Sequence, residues 1–221
     1  MKQRFSDHLR DGSEPEWTAA VRHRFVDELF AGAVPDEVMR RYLVQDYQFI
    51  DGFVALLGAA IASADRFESR IRLCQFAAMI TSEENTYFAR AFDALGVSAQ
   101  DRTAPPPADV TRRFQALMAE AAGTGWYAIC LSVLTVAEWL YQSWASRPDA
   151  ISPPSFVHAE WIALHNNDYF QDFVAWLRAE LDRVGVALGV EERERCAAYF
   201  TEAVSLERRF FDQAYSGAAG G

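Results

Sequence analysis

Residues 126–146 read WYAICLSVLTVAEWLYQSWAS. The stretch contains no Pro or Gly and is long enough for roughly five turns of α-helix. Its aromatic and aliphatic residues fall on every side, the pattern of a helix buried all round. Ser132, Thr135, Glu138, Gln142 and Ser143 make it too polar for a membrane span. Glu138 is its one charged residue. A lone buried carboxylate is costly unless it is paired, hydrogen-bonded or protonated. The plain reading is a structural Glu tied to a neighbouring helix. A functional reading requires the rest of the chain to bring it partners.

The chain of 221 residues fits one large domain, and its 51% hydrophobic content is enough for a sizeable core. The net charge of −10, without a Lys/Arg cluster beyond pairs such as Arg40-Arg41 and Arg208-Arg209, disfavours nucleic-acid binding. The polar start MKQRFSDHLRDGSEPE lacks the apolar run of a secretory signal, and no segment qualifies as a membrane helix. Cys74, Cys130 and Cys196 are odd in number and widely spaced. They argue for a reducing, cytoplasmic setting and against a disulfide framework or zinc site.

Around the central stretch the punctuation predicts helices and no strands. Residues 1–13 are expected to be irregular, and a first helix starts near Glu14-Pro15-Glu16-Trp17 and stops at Gly32, with His23 inside it. Further helices are expected over 36–63, 66–95, 109–122, 156–165, 168–184 and 190–215, with the Gly/Ala tail frayed. His165-Asn166-Asn167-Asp168 reads as a break carrying an N-cap. The fold class expected is an all-α bundle of seven or eight helices in a single domain.

Three other helices carry an acid on an apolar stripe. Asp46 lies four residues after Tyr42 and three before Phe49; Glu84 lies four after Ile80 and three before Tyr87; Glu207 lies four after Ala203 and three before Phe210. Residues three and four apart share a helix face, so these acids point inward with the core, whereas Glu83 is turned about 100° away toward solvent. With Glu138 they suggest a polar pocket inside the bundle, flanked by Tyr42, Phe49, Tyr87, Trp139, Tyr141, Phe210 and Phe211. For most of these rings taken singly, plain core packing is the better reading. Together, rings and carboxylates suit a flat, nitrogen-rich, partly cationic ligand. Crowded carboxylates cannot all ionise, which sets a general acid beside a general base. Inward acids from four helices also describe a di-metal bundle, but the Glu-x-x-His pairs such a site uses are absent from the sequence. Neither a metal nor a cofactor is therefore expected.

Several of these segments resemble the TenA family. They are Trp17, His23-Arg24-Phe25-Val26, Gly32-Ala33-Val34-Pro35 and Tyr42-Leu43-Val44-Gln45-Asp46-Tyr47, then Glu138-Trp139-Leu140-Tyr141 and Leu206-Glu207-Arg208-Arg209-Phe210-Phe211. The resemblance implies a haem-oxygenase-like helical fold, assembly as a homodimer or homotetramer, and hydrolysis of thiamin-derived aminopyrimidines, a small-molecule pyrimidine substrate. It implies that Asp46 holds the ring nitrogen and amino group, that Glu207 is the acid–base carboxylate, and that Tyr141 supports the attacking group. Phe49 stands where the family has a tyrosine near the pyrimidine; Tyr42 and His165 join the substrate-binding candidates. The better-known branch has a nucleophilic Cys where this chain has Ala137, and Cys130 lies two turns away. The run A-E-W-L-Y-Q-S-W resembles the branch that lacks the Cys, so water activated by Glu138 or Glu84 is the expected nucleophile. Two other classes remain open: an oxidase or oxygenase of the same fold, whether of the pyrroloquinoline-quinone-synthase type or using metal or haem, with His23, His158 and His165 to watch; and a non-catalytic ligand-binding regulator.

Overall fold

A computed structural model describes residues 3–149 and 152–216, with side chains throughout except those of Glu83, Glu84 and Asn85. The described residues are helical, without strands, and form one bundle with a continuous core. In chain order the helices are α1 (Phe5–Gly12), α2 (Glu16–Val21), α3 (Arg24–Ala31), α4 (Asp36–Ser63), α5 (Phe67–Met79) and, after the π-helical segment Ile80–Glu84, α6 (Asn85–Ala94). Then come α7 (Asp109–Gly123), α8 (Tyr127–Ala145), α9 (Phe156–Leu164), α10 (Asp168–Gly185) and α11 (Val190–Tyr215). The expected all-α class holds, and no helix of the described residues is long and apolar enough to cross a membrane.

Helix α8 is the axis of the bundle. It packs against α11, α10, α4, α7 and α2, and all its residues except Gln142 and Ser143 are buried. It begins where Gly125 takes φ +65°, a left-handed turn that suits a residue without Cβ, and where the Thr124 hydroxyl accepts from the Trp126 N–H. Full burial of an aliphatic side chain contributes about 1.5–3 kcal/mol. Ile129, Leu131, Leu134 and Leu140 therefore hold this helix inside far more strongly than its few hydroxyls oppose it.

Three local differences from the sequence reading have physical causes. Residues 5–12 are helical rather than irregular: Phe5 and Leu9, four apart, bury one face, and Asp182 from α10 accepts the Ser6 N–H at 2.7 Å. Phe5 lies so close to Gly185 that a Cβ there would meet its ring at 2.4 Å. The first expected helix is broken at His23, which is extended and caps α3 by accepting the Phe25 N–H on Nδ1 at 3.0 Å; its Nε2 lies 3.1 Å from Asp212. The third expected helix is interrupted by the π segment. There the hydroxyls of Thr81 and Ser82 reach back to the carbonyls of Ala77 and Ala78, bonding that bends and loosens a helix. The expected fraying of the Gly/Ala tail concerns residues 217–221, outside the described residues.

Candidate active site

Helix α4 brings Asp46, Phe49, Ile50 and Phe53 to one cavity, a set at helical spacings of three, four and seven. Across from it, α8 contributes Ala137, Glu138 and Tyr141, and α11 contributes Glu207 and Phe210. The rest of the wall is α5 with the first residue of the π segment (Gln75, Ala78, Met79, Ile80), Phe114, and the α9–α10 corner from Trp161 to Phe170. The cavity holds about 670 Å³. Asp46, Glu138 and Glu207 thus reach one cavity from three helices, and they are 8%, 8% and 3% exposed. Glu84 closes the π segment whose first residue, Ile80, lines the cavity; its side chain lies outside the described residues, as does that of Glu83.

Glu207 is the deepest of the three acids. Burial raises its carboxyl pKa well above the ordinary value, and the negative charge of Asp46 raises it further. The sequence reading paired Glu207 with Glu138; among the described residues, a charge that raises the Glu207 pKa is that of Asp46. Glu207 therefore holds a proton over a pH range in which an exposed glutamate has lost it.

Tyr141 faces the cavity, and its hydroxyl lies 2.7 Å from that of Tyr42. Burial, first of all, raises both phenol pKa values, and the neighbouring carboxyl groups of Asp46 and Glu207 act in the same sense. Both phenols are neutral O–H groups. Tyr42 does not line the cavity, contrary to its place among the substrate-binding candidates. It sits behind Tyr141 among Phe25, Phe210 and Phe211, and its hydroxyl meets that of Tyr141. When Tyr42 donates to Tyr141, the Tyr141 proton is left to a group in the cavity.

His165 stands where α9 ends. The helix stops at Leu164, and the Trp161 carbonyl, without an onward backbone partner, receives the imidazole Nδ1 at 2.8 Å. A carbonyl only accepts, so Nδ1 carries the hydrogen. Burial lowers the imidazole pKa to about 4, so the ring is neutral near pH 7. Asn167 completes the junction as expected of an N-cap, accepting the Phe170 N–H at 2.9 Å and donating to the Ala163 and Leu164 carbonyls.

Other readings are corrected by the packing. Of the seven rings expected to flank the pocket, Phe49, Tyr141 and Phe210 line it. Trp139 points away, against Trp17 and under the Arg178 guanidinium; Tyr87 donates to the Val157 carbonyl and stacks on Trp161; Phe211 stacks on Phe25. His23 is a helix cap, and His158 is buried without lining the cavity. Among the described residues no group of three or more His, Cys, Asp or Glu is arranged to hold a metal ion. Cys130 is buried, its thiol is pushed up to about 11 by burial, and it lies outside the cavity lining.

Sequence reasoning also missed a buried acid. Glu180 on α10 accepts from Ser69 at 2.6 Å, Tyr127 at 3.1 Å and Arg183 at 2.6 and 2.8 Å. Burial favours its neutral form, but the hydrogen bonds from Arg183 and Ser69 prevail and hold its pKa below the usual range. It is a structural ion pair, and the signal for it was Arg183 three residues later. The corner residues Asn167, Tyr169 and Phe170, by contrast, carry no sequence signal that separates cavity lining from core.

Similarity to known proteins follows the same geometry. The chain is 23% identical to the aminopyrimidine aminohydrolase of Halalkalibacterium halodurans over 216 residues, 96% of each chain. It is 21% identical to that of Bacillus subtilis, over 96% of this chain and 90% of the relative. Among solved structures, a TenA homologue from P. horikoshii superposes with a TM-score of 0.86 at 24% identity, covering 97% of this chain and all of that one. A Shewanella denitrificans domain of unknown function with a heme oxygenase-like fold gives 0.68 at 15% identity, over 96% and 92% of the two chains. The family model described as TENA/THI-4/PQQC matches residues 11–217, and the chain belongs to that family.

Proposed function

We propose that the protein hydrolyses a C–N bond of thiamin-derived aminopyrimidines, with carboxylates as acid and base and without a cysteine nucleophile. The carrying observation is that Glu207, buried and with its pKa raised, shares one cavity with Asp46 and Glu138. The aminopyrimidine aminohydrolases with which the chain aligns nearly end to end support the substrate class. Ala137, on the cavity wall beside Glu138, supports attack by water rather than by a thiol.

In this reading Asp46 accepts hydrogen bonds from the amino group and from the ring nitrogen in its protonated form, while Phe49 and Phe210 cover the ring faces. Glu138 takes a proton from water as its oxygen bonds to the carbon under attack. Glu207 gives its proton to the nitrogen as the C–N bond breaks, so the amine leaves neutral. Tyr141, held from behind by Tyr42, donates to the attacking oxygen. Glu84, on the π segment, is the alternative base. A panel of thiamin-related pyrimidines tests the substrate class directly. With a substrate so found, Glu138→Gln should lower kcat about 100-fold or more with little change in binding. If Glu138→Gln is normal and Glu84→Gln is inactive, the base is Glu84; normal kcat in both variants refutes the carboxylate mechanism. We further propose a homodimer or homotetramer, which light scattering on the purified protein decides.

A further inference from the structure

The hydrolytic reading leaves the second nitrogen of His165, a polar group of the cavity wall, without a role. The ring is fixed on all sides. Its Nδ1 is occupied by the Trp161 carbonyl, and the rings of Tyr141, Trp161 and Phe170 lie 4.8, 4.6 and 5.2 Å from it, centroid to centroid. Because Nδ1 carries the hydrogen, Nε2 is a bare lone pair, and a neutral imidazole in this tautomer can only accept there. Among the described residues, no protein group donates to it. It belongs to a residue that lines the cavity, which leaves its place open to a donor that enters the cavity.

We propose that His165 is a specificity-determining residue whose Nε2 accepts a hydrogen bond from an N–H of the bound substrate, selecting ligands with a primary or secondary amino group over their fully N-alkylated counterparts. The inference rests on the aminopyrimidine reading and adds to it. Asp46, Glu138 and Glu207 supply negative or acid–base oxygens; a further carboxylate would add repulsion to a cavity that already forces Glu207 to keep its proton. A neutral imidazole adds an acceptor without adding charge. Its orientation is set by the end of α9 rather than by the ligand, so little freedom is lost when the ligand binds. No proton is transferred: His165 binds and orients, and the acid–base work stays with the carboxylates.

The test compares two probes, an aminopyrimidine with a free exocyclic amino group and the same ring with that group dimethylated, by calorimetric titration near pH 7. Wild type should prefer the free amine. His165→Phe, which keeps a flat ring and removes the acceptor, should weaken the free amine by roughly ten- to a hundredfold, leaving the N–H buried without a partner, and should change the dimethylated probe little. His165→Gln, which retains an acceptor, should recover part of the preference. Using the ratio of two probes within one variant removes any general loss of packing. Independently, ¹⁵N NMR of histidine-labelled wild type should show Nε2 of His165 unprotonated. A proton on Nε2, or an equal loss for both probes in His165→Phe, overturns the inference while leaving hydrolysis intact. Failure of wild type to bind either probe overturns it together with the aminopyrimidine reading.

Discussion

Replacing Glu207 by Gln should make the enzyme slower and, toward higher pH, more stable. Glu207 is 3% exposed, and its pKa is raised by burial and by Asp46. In the unfolded chain it ionises like any glutamate, near pH 4.3. Between that pH and the raised folded value, the native state holds one proton that the unfolded state has released. Native protein therefore binds more protons, and stability falls as pH rises, by about 1.4 kcal/mol per pH unit for one proton. The full contribution is present below the unfolded pKa and is lost as pH climbs through the folded one. Gln cannot ionise and fills nearly the same volume, so the variant lacks this slope. Urea denaturation over a pH series starting above the ordinary glutamate pKa should show wild type losing stability relative to Glu207→Gln, at close to that rate until pH reaches the raised folded value. In the same preparations kcat on an aminopyrimidine should fall at least about 100-fold, or about 2.7 kcal/mol, the usual contribution of a general acid. Parallel stability profiles would mean that Glu207 does not hold the proton, and an undiminished kcat would mean that the proton is not used.

Asp46→Asn removes the charge that helps raise Glu207, so the alkaline limb of the kcat–pH profile should move to lower pH while substrate binding weakens; an unmoved limb would show that burial alone sets Glu207. Cys130→Ser should retain most hydrolytic activity, because the buried thiol, pushed up to about 11 by burial, lies outside the cavity lining; selective inactivation by a thiol reagent at Cys130 would contradict this. Glu180→Ala should cost about 3–5 kcal/mol in urea denaturation, since it strips Arg183, Ser69 and Tyr127 of a shared buried acceptor. With its folded pKa lowered, Glu180 stabilises above the ordinary carboxylate range and loses that effect as pH falls. The acid-side decline of wild type should therefore flatten in Glu180→Ala, opposite in sign to the effect of Glu207→Gln.

The helices were legible in the amino-acid order alone, because hydrophobic periodicity and local punctuation depend on neighbours three or four residues away. The α8 stretch, the bounds of α4 and the Asn167 cap could be read on that ground. So could the inward faces of Asp46, Glu138 and Glu207, since an acid on an apolar stripe is turned inward wherever the helix is placed. What each inward group meets depended on the packing of the helices. Glu180 is as buried as the cavity acids, yet it belongs to an ion pair because Ser69 and Tyr127 arrive from elsewhere in the chain. Tyr42 and Tyr141 both sit on apolar stripes, but only Tyr141 reaches the cavity; Tyr42 is stopped behind it by the crossing of α4 and α8. The helix at residues 5–12 depends on Asp182 and Gly185, more than 170 positions away, and no local pattern records them. Periodicity fixes the direction of a side chain on its own helix, whereas the partner at the end of that direction is set by how the helices cross.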